Sequence, residues 1–496
     1  MRGLMFQGTS SDVGKSVLAT AFCRLFADKG YRVAPFKAQN MALNSYVTVD
    51  GGEIGRSQGV QAEAAGVEAE TDMNPILLKP KGDRIAEVIV HGRHYADMQA
   101  GEYQARTRGE MLEPVRASLA RLKQRYDLLV IEGAGSPAEV NLREREIVNM
   151  QTAKLADVPV ILVADIDRGG VFASIVGTLD ILEPDERARV QGLIINKFRG
   201  DLNLLRPGLD WLEERTGIPV LGVLPFREIA IDPEDSLALG GLDKKGPEAE
   251  VEIAVIRLPR ISNFTDFLPL SRVPGACLRY VGKLEEWGNP DAVILPGTKN
   301  TMEDFRWLRE TGLAERVALY HQEGGPVAGI CGGYQMMARR LTDPEGVEST
   351  IPEVEGLGLL PVDLSFRPGK RTVRAEGEVC ADGWASGVRV KGYEIHLGRA
   401  SFLKGHQPFL RLADGKPEGA VERDGEVWGT HLHGIFDNTP FLFHWINHLR
   451  RRKGLHPLEE QAMRGRSRSE IYADLAVWVG EHLDMERIDG MMGWER

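Results

Sequence analysis

Short apolar runs of strand length recur along the first half of the chain and alternate with stretches of helical period. Residues 4–7, 32–36, 87–91, 128–132, 158–165, 192–196 and 220–224 are rich in aliphatic side chains without strict apolar–polar alternation. Strands buried on both faces have this pattern. Helical patterns fill the gaps, at 15–29, 95–126, 148–156, 171–182 and 209–216. Strand and helix in alternation predict a parallel, doubly wound sheet.

The pattern lapses over 232–250. There Leu239-Gly240-Gly241-Leu242-Asp243-Lys244-Lys245-Gly246-Pro247 is polar and turn-forming, the character of a linker. Alternation restarts at 251–258, with strands expected at 291–296 and 326–330 and helices at 301–310, 313–323 and 332–340. After Leu357 the signal turns towards strand, at 372–380, 388–395 and 426–431, before a helix at 439–450. A charged tail follows, helical at 468–483. The expected division is therefore 1–245, 250–450 and a helical tail, 451–496. A chain of 496 residues is more than one core serves, at roughly 150 residues per domain.

Composition narrows the class. With 43% hydrophobic and 27% charged residues, disordered, collagenous and coiled-coil classes are excluded. A net charge of −11 argues against nucleic acid or an anionic membrane as partner. The four cysteines are scattered without a CxxC pair, so neither a disulfide framework nor a zinc ribbon is expected. The first residues lack the apolar run of a secretion signal, and the most apolar stretch, 158–164, is too short to span a bilayer. A cytoplasmic protein is expected.

Candidate chemistry gathers at strand ends. Gly8-Thr9-Ser10-Ser11-Asp12-Val13-Gly14-Lys15-Ser16 sits between an expected strand and an expected helix, the context of a P-loop. Its N–H groups and the helix N-terminus suit phosphate. Lys15 would reach the β- and γ-phosphates of ATP, and the Ser16 hydroxyl would ligate Mg²⁺. Five residues separate Gly8 from Gly14, one more than usual. Glu132 ends its strand, a fitting place for a second Mg²⁺ ligand. Asn196-Lys197 ends another, where Asn196 is either a turn residue or a partner for the nucleotide base. Basic side chains, among them Lys37, Lys79 and Arg168, form either a solvated surface or a pocket for a polyanionic substrate.

In the second half, Cys331-Gly332-Gly333-Tyr334-Gln335 follows a buried strand and opens a helix. A residue squeezed between strand and helix by small neighbours is a nucleophile elbow. The helix N-terminus lowers a thiol pKa, and the Gly332 N–H can meet an oxyanion. Gly297, in the loop after another strand, is the candidate for a second donor. Cys23, Cys277 and Cys380 have no such flanks and are expected to be buried packing. A thiol nucleophile needs a histidine base. His431 and His433 share one strand face; His433 precedes a glycine at the strand end and is the expected base. His396 is expected to be structural. His444 and His448 lack the Glu of a zinc protease motif and belong to a solvated helix face.

These motifs carry a resemblance. The P-loop together with Glu132-Gly133-Ala134-Gly135 resembles the dethiobiotin synthetase group of ATPases. Cys331–Gln335 with Gly429-Thr430-His431-Leu432-His433-Gly434 resembles a Triad-type class I glutamine amidotransferase domain. Fused in this order, they are similar to the cobyrinate amidotransferases of corrinoid biosynthesis, over nearly the whole chain. Four further stretches resemble the branch that amidates the b, d, e and g side chains. They begin at Lys37-Ala38-Gln39-Asn40, Met73-Asn74-Pro75, Asp165-Ile166-Asp167-Arg168 and Ile195-Asn196-Lys197.

The resemblance implies an α/β fold of two doubly wound domains, an ATPase-like parallel sheet and a flavodoxin-like glutaminase domain. It implies glutamine hydrolysis at Cys331 with His433 as base. Ammonia then passes to an acyl phosphate made from ATP and a corrinoid carboxylate of adenosylcobyrinic acid a,c-diamide, giving adenosylcobyric acid. The partners are these small molecules, the cofactors are ATP and Mg²⁺, and no tightly bound organic cofactor is implied. Lys37, Asn40, Asn44, Lys79 and Arg168 are the implied substrate contacts. Position 435, where common class I glutaminases carry a Glu, is Ile435; Glu394 is then the candidate to orient His433. The competing readings are an a,c-diamide synthase, disfavoured by Ala38-Gln39-Asn40, and a P-loop partition ATPase, which leaves the second half without a purpose.

Overall fold

The expected runs of the first half come together as one parallel sheet in the computed structural model of the chain. The structure describes residues 2–82, 84–229, 231–232, 249–422, 425–463 and 465–493. The expected linker stretch 239–247 lies outside them. Contacts divide the chain into two units. One comprises Met1–Ala42, Gly52–Asp232 and Arg466–Arg496; the other comprises Leu43–Gly51 and Pro233–Gly465.

In the first unit six strands run in the order Val220–Pro225, Val190–Phe198, Val160–Asp165, Arg2–Gly8, Leu128–Glu132 and Val33–Phe36. Every neighbouring pair is parallel. Register pairs Gly8 with Val163, Phe6 with Glu132, and Asp165 with Asn196. The carboxyl ends therefore bring Gly8, Glu132, Asp165 and Asn196 to one edge of the sheet, where open α/β sheets bind ligands. The helix Lys15–Asp28 packs beneath this edge through Leu18, Phe22 and Phe26. Phe22 meets Phe6 and Phe26 edge to face, at 4.9 and 5.5 Å between ring centroids. Cys23 is fully buried in the same core, and burial pushes its thiol pKa far up, as suits a packing residue.

Two expectations give way here. The run at 87–91 lies in a separate four-stranded sheet, ordered Gln39–Met41, Ile76–Pro80, Ile85–Val90 and Arg93–Gln99. The helix expected from residue 95 begins only at Ala100. The cause is local: His91 and Gly92 take φ of 45° and 73°, and Val90 pairs with Arg93 across them. Two consecutive positive-φ residues make the tight turn that sends a chain back antiparallel. Arg93–Gln99 is drawn into that hairpin despite its helical spacing.

The tail is not a separate body. Helix Arg468–His482 starts at a capping box of Ser467 and Glu470 and buries Tyr472, Leu475 and Val479 in the core that holds Phe22 and Phe26. Tyr472 donates to Glu63 at 3.0 Å, and the Asp484 N–H donates to the Leu221 carbonyl at 2.7 Å.

In the second unit a sheet runs Ala276–Val281, Val251–Ile256, Ala292–Leu295, Val327–Ile330, Val427–Thr430 and Ala420–Glu422. Its first five strands are parallel and the last is antiparallel. A second sheet is built on the long hairpin of Val362–Val379 and Arg389–Phe402. The helix expected at 332–340 stops at Met336, because Arg340–Thr342 is taken up beside Val362–Val379. Trp428, Phe436, Phe441 and Trp445 fill the core behind the parallel sheet.

Leu475→Ala should cost about 2–4 kcal/mol, the usual loss for a buried leucine. Hydrogen exchange should then speed up in Lys15–Asp28 and in Val220–Pro225, and stay unchanged in the strands of the second unit. Uniform loss of protection in both units would show that the tail is not anchored as described.

Candidate active site

The thiol stands at a strained turn. Val327–Ile330 ends, Cys331 takes φ 49° and ψ −108°, and helix Gly332–Met336 starts at once. A non-glycine residue with positive φ persists only when its surroundings enforce it. Two glycines supply that enforcement. A side chain at Gly333 would collide with the Leu295 carbonyl, and a Cβ at Gly332 would lie 3.0 Å from the Thr298 nitrogen. The turn at Gly297 and Thr298 is thereby pressed against the elbow, so the structure brings Gly297 and Gly332 together beside the thiol. Cys331 Sγ is buried, 3.6 Å from the Ile395 carbonyl.

His433 is the histidine that belongs to this thiol. A Cβ on Gly297 would lie 3.0 Å from His433 Cε1. Nδ1 of His433 lies 2.7 Å from Asp266 Oδ2, while the Gly434 N–H donates to Asp266 Oδ1 at 3.0 Å. Tyr393 stacks on the imidazole at 5.2 Å and exchanges two backbone hydrogen bonds with His433. Burial alone would depress the imidazolium. The Asp266 carboxylate and a Cys331 thiolate outweigh burial and lift the pKa to about 10, against an ordinary 6.5. That charge stabilises the fold fully below pH 6.5, and the contribution is lost as pH rises through about 10.

His431 is excluded by its surroundings. It stacks on His396 at 3.9 Å, meets Tyr334 edge to face, and puts Nδ1 3.2 Å from Glu418. Burial pushes its pKa down to about 4. Glu394, the sequence candidate for orienting His433, lies instead 3.2 Å from His396 Nε2 and pairs with Arg371. Burial would raise Glu394, but those two partners hold it at about 2. The orienting acid is Asp266. Its signal was a single acid in the mostly apolar run from Phe264 to Leu270, 3% exposed in the fold.

The nucleotide loop is closed on itself. Lys15 Nζ donates to the carbonyls of Ser10 at 2.9 Å and Gly135 at 3.1 Å. Thr9 N–H donates to Val163, and Asp12 and Gly14 take φ of 60° and 105°. Asn196 Nδ2 donates to the Val13 carbonyl at 2.8 Å, and Lys197 Nζ to Asp12 O at 2.6 Å and Asp165 at 2.8 Å. Asn196 and Lys197 therefore brace the loop from behind. Glu132 is 1% exposed and accepts from Ser16 at 2.9 Å, Lys37 at 2.8 Å and Gln61 at 2.6 Å. A carboxylate and a hydroxyl meeting this closely are a hard-oxygen pair that suits Mg²⁺. Among the described residues no group of three His, Cys, Asp or Glu side chains forms a metal cage. A cation here would draw its remaining ligands from water and phosphate. Gln61 was not singled out in the sequence, because nothing in a polar helical stretch shows which amide turns inward.

The basic residues are not a field of unpaired charge. Lys79 is buried against Glu53 at 2.6 Å, as Lys37 is against Glu132. Arg168 is exposed, 3.8 Å from Asp12 and Asp165. Asn40 donates to Gln58 at 3.1 Å. Asn44 belongs to the second unit, where its Oδ1 accepts from the Phe264 N–H at 3.1 Å.

Comparison with known proteins agrees with both halves. Residues 4–237 match the CobQ/CobB/MinD/ParA nucleotide binding domain family, and residues 252–441 match the CobB/CobQ-like glutamine amidotransferase domain family. The chain is similar to the cobyric acid synthase of Desulforamulus reducens, 52% identical over 99% of this chain and 98% of that one. It is similar to that of Geobacillus kaustophilus, 51% identical over 99% and 97%. No described helix is long and apolar enough to cross a membrane.

Asp266→Asn should lower glutamine hydrolysis by about a thousandfold or more, the scale seen when a triad acid is lost. It should also bring the alkaline limb of kcat against pH from about 10 down towards 6.5, since an uncharged partner no longer holds the proton. An unmoved limb would remove Asp266 from the site. His433→Ala should cripple hydrolysis far more than His431→Ala; the reverse order would exchange their roles.

Proposed function

The chain belongs to the cobyric acid synthase family, and from that premise we propose how its own residues share the work. The enzyme is a glutamine-hydrolysing carbon–nitrogen ligase that amidates a corrinoid in cobalamin biosynthesis. Its substrate is adenosylcobyrinic acid a,c-diamide, amidated at the b, d, e and g carboxylates. The observation that carries the assignment is the buried His433–Asp266 contact of 2.7 Å, serving a thiol on a strained elbow in a chain that also holds a nucleotide loop.

In the glutaminase unit the Cys331 thiol gives its proton to His433 Nε2. The thiolate attacks the carboxamide carbon of glutamine. The Gly332 N–H and the Gly297–Thr298 turn meet the developing oxyanion. The imidazolium returns the proton to the departing nitrogen, and ammonia leaves a glutamyl thioester on Sγ. Water, deprotonated by His433, releases glutamate.

In the nucleotide unit ammonia meets a carboxylate that it cannot attack directly, because the leaving oxygen is a poor one. The loop around Lys15 holds ATP so that the substrate carboxylate takes the γ-phosphoryl group and ADP departs. Ammonia then displaces phosphate and leaves the amide. Ser16 and Glu132 would hold Mg²⁺, which neutralises charge on the phosphates. Lys37 and Gln61 keep the Glu132 carboxylate turned towards Ser16. Loss of Lys37 would leave a buried charge unpaired. Of the implied substrate contacts, the exposed Arg168 is the candidate for the corrinoid side chains, whereas Lys79 and Asn40 are buried against Glu53 and Gln58.

Cys331→Ala should abolish synthesis from glutamine and leave synthesis from ammonia. Loss of both would contradict separable sites. Lys15→Ala should stop amidation from either nitrogen source; normal amidation would refute the loop assignment. With ATP, Mg²⁺, glutamine and the adenosylated a,c-diamide, mass spectrometry should show the remaining carboxylates becoming amides stepwise. Glutamine hydrolysis with no change in this corrinoid would refute the substrate.

A further inference from the structure

One stretch of the N-terminal sequence groups with the glutaminase unit. Leu43–Gly51 belongs by its contacts to the glutaminase unit, although Ala42 before it and Gly52 after it do not. It follows the strand Gln39–Met41 directly, so Asn40 lies only a few residues ahead of it in the chain. Specific polar bonds hold the stretch in place. Asn44 Oδ1 accepts from the Phe264 N–H at 3.1 Å, and the Ser45 N–H donates to Asn263 Oδ1 at 2.8 Å. Tyr393 donates its hydroxyl to the Ser45 carbonyl at 3.3 Å, and Arg374 Nε donates to the Val47 carbonyl at 3.0 Å. Val47 packs on Tyr393 and Ile395.

Two of these partners flank the catalytic base. Tyr393 stacks on His433, and Asn263 Nδ2 lies 3.3 Å from His433 Nε2, the atom that must take and return the thiol proton. Ser45 decides which way the Asn263 carboxamide faces. A backbone N–H can only donate, so it binds the amide oxygen and leaves the NH₂ pointing at the imidazole. An NH₂ can only donate in turn. It satisfies a neutral Nε2 and opposes a protonated one. The other charged or titratable groups that bear on His433 are Asp266, Cys331 and His431. Asp266 and a Cys331 thiolate favour the imidazolium, while a charge on His431 would oppose it. Asn263 itself takes φ 51°, a conformation asparagine tolerates better than most side chains.

We infer that Asn263 is a positioning residue that restrains idle glutamine hydrolysis, and that Leu43–Gly51 sets the restraint by fixing its carboxamide through Ser45. The inference rests on Cys331 being the glutaminase nucleophile. With the stretch docked, the Asn263 NH₂ raises the cost of the thiolate–imidazolium pair. When the stretch shifts, the carboxamide is free to rotate and offer its oxygen to Nε2–H, so the same side chain then supports the charged pair. A corrinoid or nucleotide acting on the residues just before Leu43 would produce that shift. Glutamine is then hydrolysed chiefly when an acceptor is in place.

The test uses the full chain with Asn263→Gly, which keeps the positive φ, and Asn44→Ala, which removes one anchor of the stretch. Glutamine hydrolysis is measured without ATP or corrinoid, and Cys331 alkylation by iodoacetamide is followed against pH. Asn263→Gly should raise acceptor-free hydrolysis about tenfold, the effect of one opposing hydrogen bond. It should move the alkylation midpoint to lower pH and shrink the stimulation by ATP plus corrinoid. Asn44→Ala should act in the same direction with smaller effect. Unchanged or slower acceptor-free hydrolysis, with the midpoint unmoved or raised, would overturn the restraint. Intact hydrolysis after alkylation of wild-type Cys331 would instead overturn the nucleophile assignment, a separate failure.

Discussion

The contact between His433 Nδ1 and Asp266 is the interaction on which the glutaminase half depends. An imidazole buried this deeply would by itself stay neutral and free to adopt either tautomer. The carboxylate fixes the proton on Nδ1, turns Nε2 to the thiol and makes the charged ring affordable in a dry site. Much nearby structure serves that contact. The Gly434 N–H takes the second carboxylate oxygen, Tyr393 covers the ring face, and the elbow at Cys331 is wedged by glycines that admit no side chain.

The nucleotide unit solves a related problem by different means. Its decisive acid, Glu132, is also buried, but three donors hold it and no base depends on it. Both units place their chemistry where a parallel strand ends and a helix begins. There the backbone offers unpaired N–H groups and the side chain at the junction is held rigidly. Phosphoryl transfer asks mainly for position and charge neutralisation. Thioester chemistry also needs a proton moved at one stated atom, and the added demand accounts for the additional buried partners around His433.

Much of this was legible in the sequence. Parallel strands declared themselves as aliphatic runs, and the loops at Gly8–Ser16 and Cys331–Gln335 carried their own signatures. Cys331 was found because it is squeezed between a buried strand and a helix that opens on two glycines, and His433 because it precedes a glycine at a strand end. Asp266 was not, because its partner lies far away in sequence and a single acid in an apolar run has no periodicity to betray it. Glu394 was the sequence candidate for orienting His433, yet it serves His396 and Arg371. The hairpin at His91-Gly92 was hidden because the residues that follow it, Arg93–Gln99, have helical spacing and a positive φ at His91 is uncommon. The basic side chains at Lys37 and Lys79 suggested open charge; only the fold shows each one paired with a buried carboxylate. The sorting of Leu43–Gly51 into the second unit follows from single hydrogen bonds that no pattern of apolar positions encodes.

The most direct test of this account is nitrogen-resolved NMR of nitrogen-15-labelled histidine in the wild-type enzyme, with the His433 signals assigned by their loss in His433→Gln. Nδ1 should keep its proton across the accessible range, and Nε2 should titrate near pH 10. A ring that titrates near its ordinary 6.5, or that carries its neutral-state proton on Nε2, would contradict it.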